Sequence, residues 1–91
     1  MEQKIIQLSK RDNVAVAITN IHKGEILQLD GRKLQVEENI EFGHKISLTD
    51  IKAGQEIIKY GEVIGTATQA IPAGHHVHIH NIKSLRANRN D

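Results

Sequence analysis

The chain has 91 residues, a net charge of +1, no cysteine, six histidines, and Phe42 and Tyr60 as its only Phe, Trp or Tyr side chains. A chain this short forms one small domain that buries only ~60–65% of the surface its unfolded form exposes, so its stability is modest unless it associates with a copy of itself or with a partner. Without cysteine there are no disulfides or thiolate metal sites, and without a basic stripe or aromatic platform a nucleic-acid partner is poorly supported.

Met1-Glu2-Gln3-Lys4 leads directly into a strand-like pattern with no signal-peptide signature, and no stretch approaches the ~20 apolar residues of a membrane span. The expectation is a soluble, cytoplasmic protein with no membrane partner. Lys4-Ile5-Ile6-Gln7-Leu8 reads as a first strand, followed by the polar break Ser9 to Asn13. Val14-Ala15-Val16-Ala17-Ile18 alternates β-branched and small residues, which suits a strand covered on both faces, with Val14, Val16 and Ile18 on one side. Glu25 to Leu29 and Arg32 to Val36 flank Asp30-Gly31, a strong hairpin signal because both central residues of such a turn need positive φ.

A unit Ile-x-x-Gly recurs at Ile21-His22-Lys23-Gly24, Ile40-Glu41-Phe42-Gly43, Ile51-Lys52-Ala53-Gly54 and Ile71-Pro72-Ala73-Gly74. The first three follow Asn20, Asn39 and Asp50, residues whose side chains cap turns, and Pro72 suits the second position of a type I turn with Gly74 at the fourth. The spacings are irregular, which excludes a solenoid. The chain reads as many short β segments folded tightly on one another, since no helical period survives ten residues without Gly or Pro. Residues 83–91 read as a polar, basic tail beyond a domain of residues 1–82.

The densest chemistry lies at Gly74-His75-His76-Val77-His78-Ile79-His80-Asn81, four histidines in six positions. As a strand it sets His76, His78 and His80 on one face and Val77 and Ile79 on the other. Ligands at i and i+2 lie ~6.6 Å apart and converge on one ion, whereas i and i+4 are ~13 Å apart, so the strand offers one chelating pair, His76/His78 or His78/His80. A tight site needs a further ligand from elsewhere. The plain alternative is a polar strand face exposed to water. Gly43-His44-Lys45 opens the strand Lys45-Ile46-Ser47-Leu48, and Lys59-Tyr60-Gly61 ends the strand Gln55 to Tyr60, before Glu62-Val63-Ile64-Gly65. Strand ends are where a rigid β scaffold presents functional side chains, though Lys45 and Lys59 also read as solvated charges and Tyr60 as packing at a core rim.

Together, Gly43 to Ile51, Ile58 to Gly65 and Gly74 to Asn81, with Asp12-Asn13-Val14-Ala15-Val16-Ala17 ahead of them, resemble the small N-terminal SAF domain of the altronate/galactarate dehydratase family. The resemblance covers roughly residues 10 to 82 and implies an all-β, antifreeze-like β-clip fold. In single-chain members a larger catalytic domain follows; here the sequence stops at Asp91, which implies a small subunit working with a large catalytic subunit on a sugar acid or sulfolactate. The family reaction is a β-elimination from a 2-hydroxy acid, and members depend on a divalent metal, Fe(II) or Mn(II), here shared with the large subunit.

On this resemblance His76 and His78 are the metal candidates. His44, Lys45 and Lys59 are candidates for proton transfer, and Lys45, Lys59, Tyr60, His80 and Asn81 for substrate contact. The isolated chain is expected to be inactive, as one small domain offers no enclosed pocket. Two rival readings are a non-catalytic lid or sugar-acid-binding module, and a metal or pH sensor whose six histidines would move the charge from +1 to about +7 on acidification.

Overall fold

The computed structural model describes residues 3–85, which form strands, bridges and turns with no helix among them. The strands are β1 (Ile5–Ile6), β2 (Val14–Ala17), β3 (Ile26–Leu29), β4 (Arg32–Gln35), β5 (Lys45–Ser47), β6 (Glu56–Lys59), β7 (Glu62–Ala67), β8 (His76–Val77) and β9 (Ile82–Ser84). They make three small antiparallel sheets, ordered β1-β2-β5-β8, β3-β4 and β6-β7-β9. This is the all-β arrangement of short strands that the turn pattern predicts.

The recurrent isoleucines explain how so short a chain builds a core. All four are buried, and they pair as isolated antiparallel bridges, Ile21 with Ile40 and Ile51 with Ile71. Each pair closes the base of a hairpin, β3-β4 in the first case and β6-β7 in the second. The backbone bonds recur as well. Gly24 donates to Val36 and Gly54 to Ala67; Val36 donates to Glu25 and Ala67 to Gln55; Gly43 donates to Ala17 and Gly74 to Ser47. The domain is therefore a duplicated unit, and the spacings that look irregular in sequence alternate long and short for this reason. Each copy has its own apolar cluster, one around Ile21, Leu27, Leu34, Val36, Ile40 and Ile46, the other around Ile51, Ile57, Ala67, Ile71 and Val77. β2 lies between them, giving Val14 to the second cluster and Ala15 and Ala17 to the first, so both of its faces are covered as expected.

Several local expectations are corrected. The Ile-x-x-Gly turns sit one residue later than the motif suggests: Glu25 donates to His22, His44 to Glu41 and Gln55 to Lys52, which makes glycine the third turn residue, where positive φ is required. In the fourth unit Pro72 is thus the first turn position, and the closing bond is relayed by a side chain. Ser47 Oγ accepts from His75 N–H at 2.9 Å and donates to the Pro72 carbonyl at 2.7 Å. At Asp30-Gly31 the hairpin forms, but only Gly31 has positive φ; Tyr60-Gly61 is the turn in which both residues do, at 55° and 80°. His75 to Asn81 is not one continuous strand, because β8 ends at Val77 and residues 78–81 turn, leaving Ile79 82% exposed. At the C-terminal end β9 pairs with β7 through Ser84, so the sheet runs past the boundary drawn after residue 82; residues 86–91 of the expected tail lie outside the described residues.

Gly74 is the tightest point of the second copy. Its φ is 86°, and a Cβ there would lie 2.2 Å from the Gln35 carbonyl oxygen. Gly54 has a similar φ of 84° but open space where a Cβ would be. Gly54→Ala should therefore carry only the left-handed backbone cost of about 1–2 kcal/mol, while Gly74→Ala should lose roughly 3 kcal/mol or more because backbone must move. Urea denaturation of both variants compares them; equal losses would show that the Gln35 contact is irrelevant.

Candidate metal and substrate site

β5 and β8 pair with Lys45 opposite Val77 and Ile46 opposite His76. One step further along this register sets His44 opposite His78. Side chains alternate along a strand and cross-strand partners share a face, so His44, His76 and His78 fall on one face while Val77 turns into the second core cluster. The rings bear this out. His44 and His78 stack with centroids 4.3 Å apart, His44 and His76 at 5.0 Å, and His44 Nδ1 lies 2.8 Å from His76 Nε2. Ligand nitrogens of the three rings all fall within 4.8 Å of one another. The sequence pairs His76 with His78; the structure supplies the third imidazole, His44, from the neighbouring strand.

His80 lies within the turn, its ring tilted against His76 at 5.2 Å, and it is not one of the three clustered ligands. Asn81, expected at the substrate, is 3% exposed and takes a different part. Its Oδ1 accepts from His78 N–H at 2.9 Å and its Nδ2 donates to the His76 carbonyl at 2.8 Å. Both ends of the amide are thus occupied in shaping the turn that brings His78 back over His44.

The lysines form a second group. Alternation sets Lys45 on the face of β5 opposite His44, and burial lowers its pKa, with the charge of Lys59 adding to the effect. Lys59 Nζ sits 5.4 Å from the centre of the Tyr60 ring, a cation–π distance. Among the described residues neither lysine has a carboxylate within ion-pair distance. The two groups are coupled electrostatically, since Lys45 is among the charges acting on His78.

Residues that sequence reasoning passed over hold these groups in place. Asp12 Oδ1 accepts from Gly61 N–H at 2.7 Å, and Oδ2 accepts from Ser9 and Leu8, fixing the Tyr60-Gly61 turn. Burial alone would raise the Asp12 pKa, but bonds from Gly61, Ser9, Leu8 and Tyr60 outweigh it and the carboxyl ends below its usual value. Asn13 brackets β6, donating to the Glu56 carbonyl and accepting from Ile58 N–H, both at 2.8 Å. The Asp12-Asn13 pair was visible in the sequence, but the hairpin it clamps lies some 45 residues away.

Burial pushes the His76 imidazole below its ordinary 6.5, and the charges of His44, His80 and His78 push it further, against the opposing pull of Glu38. His78 is lowered in the same way by burial, His44, Lys45 and His80, against Glu41. Both rings are neutral at neutral pH, with lone pairs available to a metal ion. Three clustered imidazoles could hold a divalent metal ion, and imidazole suits Fe(II) better than the oxygen-preferring Mn(II).

A family model described as the altronate/galactarate dehydratase SAF domain matches residues 3–85. The chain is 44% identical over 82 residues to an altronate dehydratase of Bacillus subtilis, and 40% identical over 79 residues to one of Escherichia coli. These alignments cover 90% and 87% of this chain but 16% of each relative. It is also 43% identical over 54 residues to a (2R)-sulfolactate sulfo-lyase subunit alpha of Paracoccus pantotrophus, covering 59% of this chain and 81% of that subunit. Among the described residues no helix is long and apolar enough to cross a membrane.

The lowered histidines fix how stability varies with pH. With folded pKa values of His76 and His78 below 6.5, the unfolded chain takes up protons first as pH falls, so their contribution is complete above about 6.5 and is lost below it. The melting temperature should begin to drop as pH falls below about 6.5, before the lowered carboxylates Asp12, Glu25 and Glu38 titrate in a separate window below about pH 4.5. Calorimetry of the chain and of a His76→Asn/His78→Asn variant checks this; the variant should flatten the upper drop, and a flat profile in the unaltered chain would refute it.

Proposed function

Because the chain belongs to the altronate/galactarate dehydratase SAF-domain family, we propose that it is the small subunit of a cytoplasmic two-subunit sugar-acid dehydratase, eliminating water from a 2-hydroxy acid together with a large catalytic subunit. The observation that carries this reading is the cluster of His44, His76 and His78, whose ligand nitrogens lie within 4.8 Å of one another. The chain spans about a sixth of the altronate dehydratases it matches, so the enclosed part of the site belongs to the partner in this proposal.

Removing a proton from the carbon beside a carboxylate builds a second negative charge, and the next carbon then loses hydroxide, which leaves as water once protonated. A divalent ion held by His44, His76 and His78, Fe(II) or Mn(II), would supply charge stabilisation for that step when bound. Lys45 and Lys59 lack a carboxylate partner among the described residues, which suits them to receive the substrate carboxylate. Lys45, with its pKa lowered by burial and by Lys59, is also a candidate for proton transfer. Tyr60, held at the turn beside Lys59, would hydrogen-bond a substrate hydroxyl, and His80 at the rim of the ring cluster would contact the distal end of the sugar acid.

A second reading, the small subunit of a sulfolactate sulfo-lyase, is favoured by one observation: the sulfo-lyase relative is itself a short subunit, of which the aligned 54 residues make up 81%. The chemistry differs only in the leaving group, sulfite in place of water.

Co-expression with the expected large subunit, purification through a tag on this chain, and assay with iron(II) on D-altronate, D-galactarate and sulfolactate tests the proposal. A 2-keto-3-deoxy acid product would support the dehydratase, sulfite release would favour the second reading, and no partner with no turnover would refute both. His76→Ala and His78→Ala should each reduce turnover by on the order of 100-fold; unchanged turnover and metal content in both would remove the imidazole role.

A further inference from the structure

β8 is the edge strand of its sheet, paired with β5 on one side only. A residue on such an edge directs its N–H and C=O away from the sheet, where they need partners. For His76 both are supplied by side chains. The carbonyl takes a bond from Asn81 Nδ2 at 2.8 Å, and the N–H donates to Glu38 Oε2 at 3.0 Å. The same Oε2 lies 2.9 Å from His75 Nδ1, and because an ionised carboxylate only accepts, that ring nitrogen carries the proton. Glu38 comes from the loop after β4, in the first copy of the duplicated unit, while His75 and His76 lead into β8, at the end of the Ile71 to Gly74 turn of the second. The neighbouring backbone adds one more tie, from Glu37 N–H to the Gly74 carbonyl at 2.9 Å.

We propose that Glu38 is the positioning residue of the imidazole cluster: it stands in for the missing neighbour strand at His76 and so sets the His76 ring against His44 and His78. The inference rests on reading this cluster as the functional site, but its geometry can be tested without a metal. Among the described residues the His76 ring has His44 as its one direct side-chain hydrogen-bond partner, and that partner sits at the start of β5. Its placement therefore depends on how firmly β8 is held against β5. β8 contributes only two residues, so little other pairing holds it. Both bonds to Glu38 end on one oxygen, so a single neutral carbonyl oxygen in that place can accept both. Shape, rather than charge, is what the site needs from this residue.

The test uses the full chain without metal, and the variants Glu38→Ala, Glu38→Gln and, as control, Glu37→Ala. Ring-to-ring contacts between His44 and His76 and the His76 amide signal are followed by NMR, and cobalt(II) affinity by its absorption spectrum. Glu38→Ala is expected to lose the ring contacts, shift the His76 amide, and weaken cobalt binding by about 10- to 100-fold, the range for losing a residue that orients ligands. Glu38→Gln should restore ring contacts and affinity to near those of the unaltered chain, and Glu37→Ala should change neither. Ring contacts retained in Glu38→Ala, or a Glu38→Gln variant as impaired as Glu38→Ala, would overturn the proposal. If the unaltered chain binds no cobalt, the metal reading fails, while the ring contacts still decide the role of Glu38. Should Glu38→Ala not fold, Glu38→Asp, whose carboxylate is one methylene short, is expected to show the same loss.

Discussion

The pairing of β5 with β8 is the contact on which the site depends. It is short, two residue pairs in register, and on its own would be marginal. Its alignment is fixed at one end by the Ser47 hydroxyl, which is inserted into the Pro72 to His75 turn, and by Gly74, which packs against the Gln35 carbonyl. A slip of one residue would turn His76 and His78 to the face now occupied by Val77 and expose the core. Burial of Val77 therefore holds the histidines in register.

Duplication gives the domain its core at low cost in sequence, since the same Ile-bridged hairpin is made twice, and the site arises where the copies differ. Ala17 and Ser47 occupy matching places, each accepting from the closing glycine of a turn, Gly43 and Gly74. Only the serine can relay a bond into the turn that follows. The first copy ends in a direct turn that delivers His44 onto β5. The second ends in the Ser47-bridged turn that delivers His75 and His76 onto β8. Strands derived from matching parts of the two copies thus lie side by side and bring their imidazoles together.

Much of this was legible in the sequence. Alternation around Val14 to Ala17, the Asp30-Gly31 hairpin and the isoleucine turns each reflect local rules of strand and turn, and the fold class followed from them. The pairing of His76 with His78 on one face was legible too, because it needs only period two. What could not be read was anything set by contacts between distant segments. His44 joins the cluster through strand register, Glu38 through a loop in the other copy, and Asn81 turns inward because the edge strand ends after Val77. The mistaken strand over residues 75–81 has the same origin: period two fits a turn as well as a strand over three residues, and the bond from His78 N–H to Asn81 Oδ1, formed within the turn, decides between them.

The two side-chain groups ask for opposite ligands. Half-buried imidazoles, with the pKa values of His76 and His78 lowered, present lone pairs to a cation, while two lysines close enough for one to depress the other present positive charge to an anion. The lysine group carries an electrostatic cost in the empty protein, because like charge and desolvation are not offset by a counter-charge. On the function proposed above, a chelated hydroxy acid would relieve that cost, its carboxylate meeting the lysines while its metal ion takes up the imidazole lone pairs. In that proposal a single anionic substrate bridges a bound cation and the lysine pair, the ligand for which this arrangement of charge would be least strained.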